Sequence, residues 1–495
     1  MSEKNFLLGI DQGTSGSRAL ILDTDGNVRG YGYRPLARLH PHPDWVEQDP
    51  AQVVATVVEA LHQALADARI DANEIAACGI ACQRNTEFTW DARTHQSFTN
   101  AITWQDLRTM DLVREFAEWE HAARARYHLG YEPGPYSSAI HLAWRMRHDA
   151  AYQRAARDNT IQIGLSAEWL VTALGKMHAH AMDVSLVQAM GMYDFRARQY
   201  WREWLEWLDV PQEILPRAMP SVYEFGTLQI NGADIPVRAM IGDQQGALFG
   251  YDCHSPGSAE CTHGTASFAD VFVGNQAPAS ETMNCYYAWM LDDKPAYCLE
   301  ADTTVTGAAI RWMREAAHLF HDDAELDALA ASVKNSGGIV FVPAFTGLNV
   351  PYNDRRARAT LFGMTLGTTR AHIAHAFFQA IGFQLRGILD TMEREAHVYP
   401  QQLFVGGGIS ASDIGCQIQA DLLGIPLVRP KFAQTTARAA ALLAGIGAGI
   451  WQNVGDLPRL KTETQIFEPR LAAGERDAAF ARWEQAVRAV REWEK

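Results

Sequence analysis

The sequence predicts an α/β protein built as two related lobes, and three observations carry that prediction. Residues Leu7–Leu22 (LLGIDQGTSGSRALIL) run apolar, break at Asp11-Gln12-Gly13-Thr14-Ser15-Gly16-Ser17 and run apolar again, which reads as strand, tight turn, strand. Residues Ser258–Gly274 (SAECTHGTASFADVFVG) repeat the pattern half a chain later, with Gly264-Thr265 matching Gly13-Thr14. Elsewhere apolar strand-like runs alternate with helical periodicity. At 495 residues the chain is too long for one core.

In chain order, Ala51–Arg69 has the period of a helix and Ile75–Cys82 (IAACGIAC) that of a buried strand. Val237–Ile241 reads as a strand ending in Gly242-Asp243-Gln244-Gln245-Gly246, with a helix from about Ala247. A carboxylate at a strand's C-terminal end, beside a helix start, is where α/β folds place function. The polar stretch Tyr251–Gly257 (YDCHSPG) marks a boundary between lobes at 1–252 and 258–495. The second half then predicts a helix at Thr306–His318, a strand at Gly338–Val342, a long helix near Arg370–Arg394 and a glycine turn at Gly406-Gly407-Gly408. Ala439–Trp451 is too short to span a bilayer and reads as a buried helix. Trp201, Trp204 and Trp207 fall on one helix face and predict packing. His372 and His375 sit one turn apart with no third ligand, so they too read as a helix face.

A net charge of −15 argues against nucleic-acid or anionic-membrane partners. The 7 cysteines show neither CxxC nor zinc spacing and point to reduced thiols in the cytoplasm. The start, MSEKNFLLGID, lacks the apolar region of a signal peptide. The first turn is rich in hydroxyls and free backbone N–H groups, so it can approach a phosphate closely. Asp11, at the end of the first strand, is placed to hold a metal ion or its water. Two such turns facing each other across a cleft suit a nucleotide. The sequence has no Walker A motif, no HRD or DFG set, no GxSxG elbow and no HExxH. Gly445, Gly447 and Gly449 follow a helix rather than open one, unlike a dinucleotide fingerprint.

The remaining segments are DQGTSGSRAL, CQRNT (82–86), TWQD (103–106), GDQQGALFG (242–250), HGTASF (263–268), VPAFTGLNVPYNDRRARATLFG (342–363) and GGGIS (406–410). In that order, over nearly the whole chain, they resemble the motifs of the FGGY carbohydrate kinases, most closely its glycerol kinases. The resemblance implies two ribonuclease H-like lobes of the actin and hexokinase type, closing an interdomain cleft around ATP and Mg²⁺. It implies transfer of the γ-phosphoryl group to a hydroxyl of a small polyol or sugar. Asp243 would be the general base and Asp11 would orient Mg²⁺. Thr14, Ser15 and Thr265 would donate to phosphates, with Arg18 near the transferred group. Gly307 and Gly407 would let backbone approach the nucleotide, and Ser412 stands where glycerol kinases carry an Asn near the adenine. Arg84, Asn85, Trp104, Tyr136, Asp243, Gln244 and Phe268 would form the acceptor site. A homodimer is suggested by family analogy alone.

Three departures affect the acceptor side. Asn85 stands where glycerol kinases have Glu, and Asn offers one acceptor and two donors instead of a carboxylate. Asp183–Gln188 reads DVSLVQ instead of DYTNAS, and Asn353 replaces a Trp. Asp11, Asp243 and both Gly-Thr turns are retained, so the transfer machinery reads as intact and the acceptor pocket as edited. Glycerol is the leading acceptor, with erythritol, dihydroxyacetone, xylulose and ribulose as alternatives. A non-catalytic sugar-binding regulator and an acceptor-free ATPase are the rival classes. The stretch INGADIPVRAMIGDQQ lacks the Gly-Gly-x-Arg loop that binds fructose 1,6-bisphosphate in bacterial glycerol kinases, which predicts no such inhibition.

Overall fold

The computed structural model describes residues 5–303 and 305–493, so the outermost ends of the two expected lobes lie outside it. The first lobe is organised by a seven-stranded sheet. Its strands are β1 (Phe6–Gly13), β2 (Gly16–Asp23), β3 (Val28–Pro35), β4 (Ile75–Cys82), β5 (Gly175–Met177), β6 (Val222–Ile230) and β7 (Ala233–Gly242). Their spatial order is β3-β2-β1-β4-β7-β6-β5. β1, β2 and β3 form an antiparallel meander, and β4 and β7 then add parallel strands. β4 is buried along nearly its whole length, as expected of a central strand covered on both faces. Helix α1 (Pro50–Ala68) covers β2 and β3. Asp49 caps its N-terminus, Pro50 occupies the first turn and Arg69 ends it in the left-handed region.

The second lobe repeats this plan in another seven-stranded sheet. Its strands are β8 (Ala259–His263), β9 (Ser267–Gly274), β10 (Asn284–Leu291), β11 (Lys294–Asp302), β12 (Leu403–Gly407), β13 (Leu427–Pro430) and β14 (Thr464–Phe467). Their order is β10-β11-β9-β8-β12-β13-β14. β8, β9 and β11 take the places of β1, β2 and β3, and β12 and β13 are the parallel strands. The expected two-lobed α/β architecture is therefore observed, and five strands keep the same order in both sheets.

The helices at the centre belong to both halves. α2 (Asp243–Gly250) leaves β7 and touches β8, β9 and β10, while α3 (Thr435–Gly447) returns from the second half to lie on β1, β4 and β7. Close approach of α3 requires glycine. A Cβ on Gly9 would sit 1.9 Å from the Ala437 carbonyl oxygen, and one on Gly79 1.9 Å from that of Ala440. The core between the sheets joins Leu7, Ala77 and Ile241 with Phe272, Tyr286, Cys298 and Leu442.

Several predicted boundaries shift in detail: the strand expected at Gly338–Val342 is Val340–Val342, and the helix expected at Ala439–Trp451 is Thr435–Gly447. The helix after β7 begins at Asp243 rather than near Ala247, because extended Gly242 serves as its cap and glycine-flanked DQQ gives no cap signal in sequence. The helix predicted at Thr306–His318 runs Gly307–Glu315. The stretch after Ile230 is a two-residue turn, with Asn231 and Gly232 both at positive φ. The tryptophans pack as predicted: Trp204 is fully buried and stacks on Trp207 with centroids 4.9 Å apart. His375 is buried and His372 helps cap its own helix through Thr369. All 7 cysteines are free and buried.

Candidate active site

The first hairpin turns at Thr14-Ser15, and its strands pair Asp11 with Arg18. The Arg18 guanidinium lies 3.3 Å from the Asp11 carboxylate. Burial raises Asp11 above the ordinary carboxylate range, and Arg18 opposes that rise. An amide network from neighbouring strands fixes the turn. Gln48 donates to the Thr14 carbonyl at 2.9 Å, and Gln83 donates to both Gln12 and Gln48. The Thr14 hydroxyl donates to Gln83 Oε1 at 3.0 Å and accepts from the Trp104 indole at 2.8 Å. Thr14 thus ties the turn directly to the ring predicted to line the acceptor site. Ser15 at the tip is exposed.

Asp243 stands at the end of β7, on the first turn of α2, with Gln244 N–H donating to its carboxylate at 2.9 Å. Burial of the surrounding cleft raises it to about 6; Arg84 pulls it down and the Asp11 charge pushes it up. Its side chain is still 31% exposed, so the group is desolvated yet reachable. The segment DVSLVQ lies underneath. Asp183 caps a short helix and accepts from Ser185 and Ser221, and the Ser185 hydroxyl in turn accepts from Gly242 N–H at 3.1 Å. Burial raises Asp183 to about 6 despite those bonds. Gln188 donates to the carbonyls of Leu129 and Cys285 and accepts from Tyr287 N–H, joining the halves. This sequence departure therefore supports the strand end that carries Asp243.

Arg84 bridges the cleft. It donates to Glu300 at 2.6 Å, lies 3.6 Å from Asp243 and covers the Tyr286 ring at 4.8 Å. Removing one partner from so buried a pair costs about 3–5 kcal/mol. Glu300 was not singled out from sequence, because it lies 216 residues from Arg84. Its neighbours across the strands are Asp270 and then Glu260, and burial raises all three carboxylates. Asn85 adopts φ 56°, a conformation Asn tolerates, and its side-chain oxygen is buried without a hydrogen-bond partner. The Tyr136 hydroxyl donates to the Glu132 carbonyl at 2.7 Å. Phe268 is half-buried on β9, and Trp104 is 37% exposed.

The second hairpin turns at Gly264–Ala266, and its strands pair His263 with Ser267. A buried chain of hydrogen bonds runs from His263 Nδ1 to Ser267 (2.7 Å), to Thr306 (2.8 Å) and to Thr303 (2.8 Å). Burial lowers His263 to about 4, so it is neutral near pH 7. The turn's carbonyls accept from the next helix: Gly264 from Gly307 N–H, and Thr265 from Thr306 and Ala308 N–H. This satisfies donors that a helix start leaves unpaired. Thr265 itself is exposed. The predicted glycines serve this docking. A Cβ on Gly307 would lie 2.6 Å from the Gly264 oxygen, and one on Gly407, at φ 82°, 2.2 Å from the His263 oxygen. Ser412 caps the following helix, accepting from Gly415 N–H at 3.0 Å and donating to Asp327 at 2.6 Å.

A cavity of about 600 Å³ opens beside Phe116, Arg126, Tyr127, Arg196 and Glu281, and none of the predicted site residues lines it. Among the described residues no cluster of three or more His, Cys, Asp or Glu side chains is arranged to hold a metal, and no helix is long and apolar enough to cross a membrane.

Comparison with known proteins gives a consistent result. The profile of the FGGY family of carbohydrate kinases, N-terminal domain, matches residues 6–250, and that of the C-terminal domain matches 259–448. A glycerol kinase of Aromatoleum aromaticum is 39% identical over 493 residues, covering 99% of each chain. One from Symbiobacterium thermophilum is 36% identical, again covering 99% of each. The crystal structure of Plasmodium falciparum glycerol kinase with ADP superposes with a TM-score of 0.92 at 26% identity, covering 99% of both chains. A xylulose kinase from Rhodospirillum rubrum shares the fold, with a TM-score of 0.86 at 22% identity over 99% of both.

Proposed function

The chain belongs to the FGGY family of carbohydrate kinases, and on that premise we propose that it phosphorylates glycerol to glycerol 3-phosphate with MgATP. The carrying observation is Asp243: a strand-end carboxylate held by Gln244 and Arg84, raised to about 6, and still open to the cleft. A general base works best with a value near the operating pH.

In this reading the acceptor hydroxyl donates its proton to Asp243 as its oxygen bonds to the γ-phosphorus. The bond from that phosphorus to the ADP oxygen breaks, and the proton leaves Asp243 for solvent. Glu300 anchors the Arg84 guanidinium at 2.6 Å, so that Arg84 orients the acceptor while its Nε stays 3.6 Å from the base. Trp104 and Phe268 cover the carbon backbone, Tyr136 and Gln244 complete the wall, and Asn85 offers its carbonyl oxygen to a hydroxyl. Arg18, Ser15, Thr14 and Thr265 contact phosphates from two sides, with Gly307, Gly407 and Ser412 framing the nucleotide. Magnesium with a nucleotide takes one or two carboxylates, phosphate oxygens and water. Asp11, with Asp243 nearby, fits that set, and the ion would neutralise charge on the transferring group. Closure of lobes 1–252 and 258–495 would exclude water and limit hydrolysis. The free buried thiols suit a cytoplasmic location.

The test is ADP release with MgATP across glycerol, dihydroxyacetone, erythritol, xylulose and ribulose. Glycerol is expected to give the highest kcat/KM. A tenfold advantage for another acceptor would replace glycerol, and ADP release independent of every acceptor would remove the kinase reading.

A further inference from the structure

The hydrogen bonds of Ser221 join the two lobes behind the base. Its N–H donates to the Met290 carbonyl at 2.8 Å, and its hydroxyl oxygen accepts from Met290 N–H at 2.9 Å, so it is bonded twice to β10 of the second lobe. Its carbonyl accepts from Met240 N–H on β7 at 3.0 Å. Its hydroxyl proton goes to Asp183 Oδ2 at 2.6 Å. The other oxygen of Asp183 accepts from the Ser185 hydroxyl and from the N–H groups of Ser185 and Leu186. A carboxylate has about four acceptor positions, and these four donors fill them, so Asp183 holds both serines in one arrangement. With its proton committed to Asp183, the Ser185 oxygen accepts from Gly242 N–H at 3.1 Å, directly before the base. All three side chains are fully buried.

A continuous chain thus runs from Met290 N–H through Ser221, Asp183 and Ser185 to Gly242 N–H. At Gly242 β7 gives way to α2, and a Cβ there would lie 3.4 Å from the Arg84 side chain. Moving this peptide therefore moves Asp243 against its own arginine. Gln188 ties the other end of the same short helix, Val184–Ala189, to β10 through Cys285 and Tyr287. We propose that Ser185 is a positioning residue for the base, and that Asp183 and Ser221 extend its hold to the second lobe. The three act through the Gly242 backbone rather than on the substrate. An acceptor hydroxyl on one lobe must meet a phosphorus held with the other, and a misplacement of about 1 Å in such a contact costs about a hundredfold in rate. The inference rests on Asp243 being the base, as read above.

The test is kinetic, on whichever acceptor wild type turns over best. Ser185→Ala is expected to lower kcat by about tenfold to a hundredfold, with KM for MgATP unchanged to within about twofold. Ser185→Thr keeps the hydroxyl and is expected to return kcat to within about threefold of wild type. A double-mutant cycle separates positioning from mere structure: in the Asp243→Asn background, Ser185→Ala should cost less than about twofold, because the group it positions is gone. An equal loss in both backgrounds overturns the proposal, and so does a rise in KM for MgATP that matches the fall in kcat. Ser221→Ala keeps the backbone bonds to Met290 and Met240. It is expected to lower kcat by about threefold to tenfold and to add nothing to Ser185→Ala, and independent losses would overturn the link to the second lobe. If Ser185→Ala does not fold, Ser221→Ala is measured alone and with Asp243→Asn, and equal losses again count against the proposal. A wild-type rate in Asp243→Asn would remove the base assignment itself. A large loss there with none in Ser185→Ala removes the positioning role alone.

Discussion

The first hairpin pairs Asp11 with Arg18 across its strands, and the second pairs His263 with Ser267 at the corresponding place. The backbones match, with a short turn between antiparallel strands and a parallel strand beside each. The chemistry differs. The first pair is ionic and adjoins the acidic cleft of Asp243. The second is neutral, continued by two threonine hydroxyls, with its imidazole lowered to about 4. A repeated scaffold thus separates two tasks that phosphoryl transfer needs together. Of the two turns, the first would handle charge that moves or neutralises, and the second would supply fixed neutral hydrogen bonds. This division predicts that the acid limb of activity near pH 6 belongs to Asp243 in the first lobe, while titration beside the second turn is confined to the buried strand carboxylates Glu260, Asp270 and Glu300 and does not involve the turn.

The largest effect expected is at Asp243. Asp243→Asn should lower kcat by about 10²–10⁴-fold, the range for loss of a general base. Wild-type kcat/KM should fall as pH drops through about 6, because the base must be ionised, and that acid limb should disappear from the variant's residual rate. Stability should move the other way. A carboxylate raised above its unfolded value contributes stability below about pH 4 that is lost as pH rises through about 6. At pH 7.5 the variant's Tm should therefore equal or exceed that of wild type. An acid limb that persists in Asp243→Asn would assign the titration to another group and break the division between the lobes.

A smaller effect, confined to the second hairpin, is expected from Gly407→Ala. The residue sits at φ 82°, and the added Cβ would fall 2.2 Å from the His263 carbonyl oxygen. Overpacking at such a site costs about 1–3 kcal/mol, read by urea unfolding. KM for MgATP should rise with it while KM for the acceptor holds. A rise confined to the acceptor KM would mean that this hairpin serves the other substrate.

Local chemistry made the hairpins legible in sequence: period-two apolar runs around Gly-Thr turns specify them without distant partners. The strand of Ile75–Cys82 and the long helix Arg370–Ala396 were legible for the same reason. What joins the halves was not. Arg84 meets Glu300 across 216 residues, and Gln188 reaches Tyr287 across 99, so no spacing rule links either pair. The glycines at 307 and 407 were singled out for closeness to a nucleotide, yet their tightest neighbours are the hairpin's own carbonyls. Sequence spacing identified the positions, whereas the steric reason depends on strands paired from opposite ends of the lobe.

The smallest effect sharpens the comparison most. Thr306 is fully buried, and its hydroxyl sits between those of Ser267 and Thr303, while its N–H holds the Thr265 carbonyl. Thr306→Val keeps the volume and the backbone bond and removes only the hydroxyl. Ser267 keeps His263 as a partner, and Thr303 keeps the Ser267 N–H, so neither neighbour is stranded. The loss should then be the hydroxyl's two hydrogen bonds, to Ser267 and to Thr303, at about 0.5–1.5 kcal/mol each, or roughly a fivefold or larger rise in KM for MgATP. Because every member of the chain is neutral near pH 7, the ratio of variant to wild type should be constant from pH 6 to 9. A ratio that varies with pH across that span would show that the second hairpin feels a nearby ionisation, and Glu260→Gln, which removes the group raised to about 8 on its own strand, would separate that source from the first hairpin.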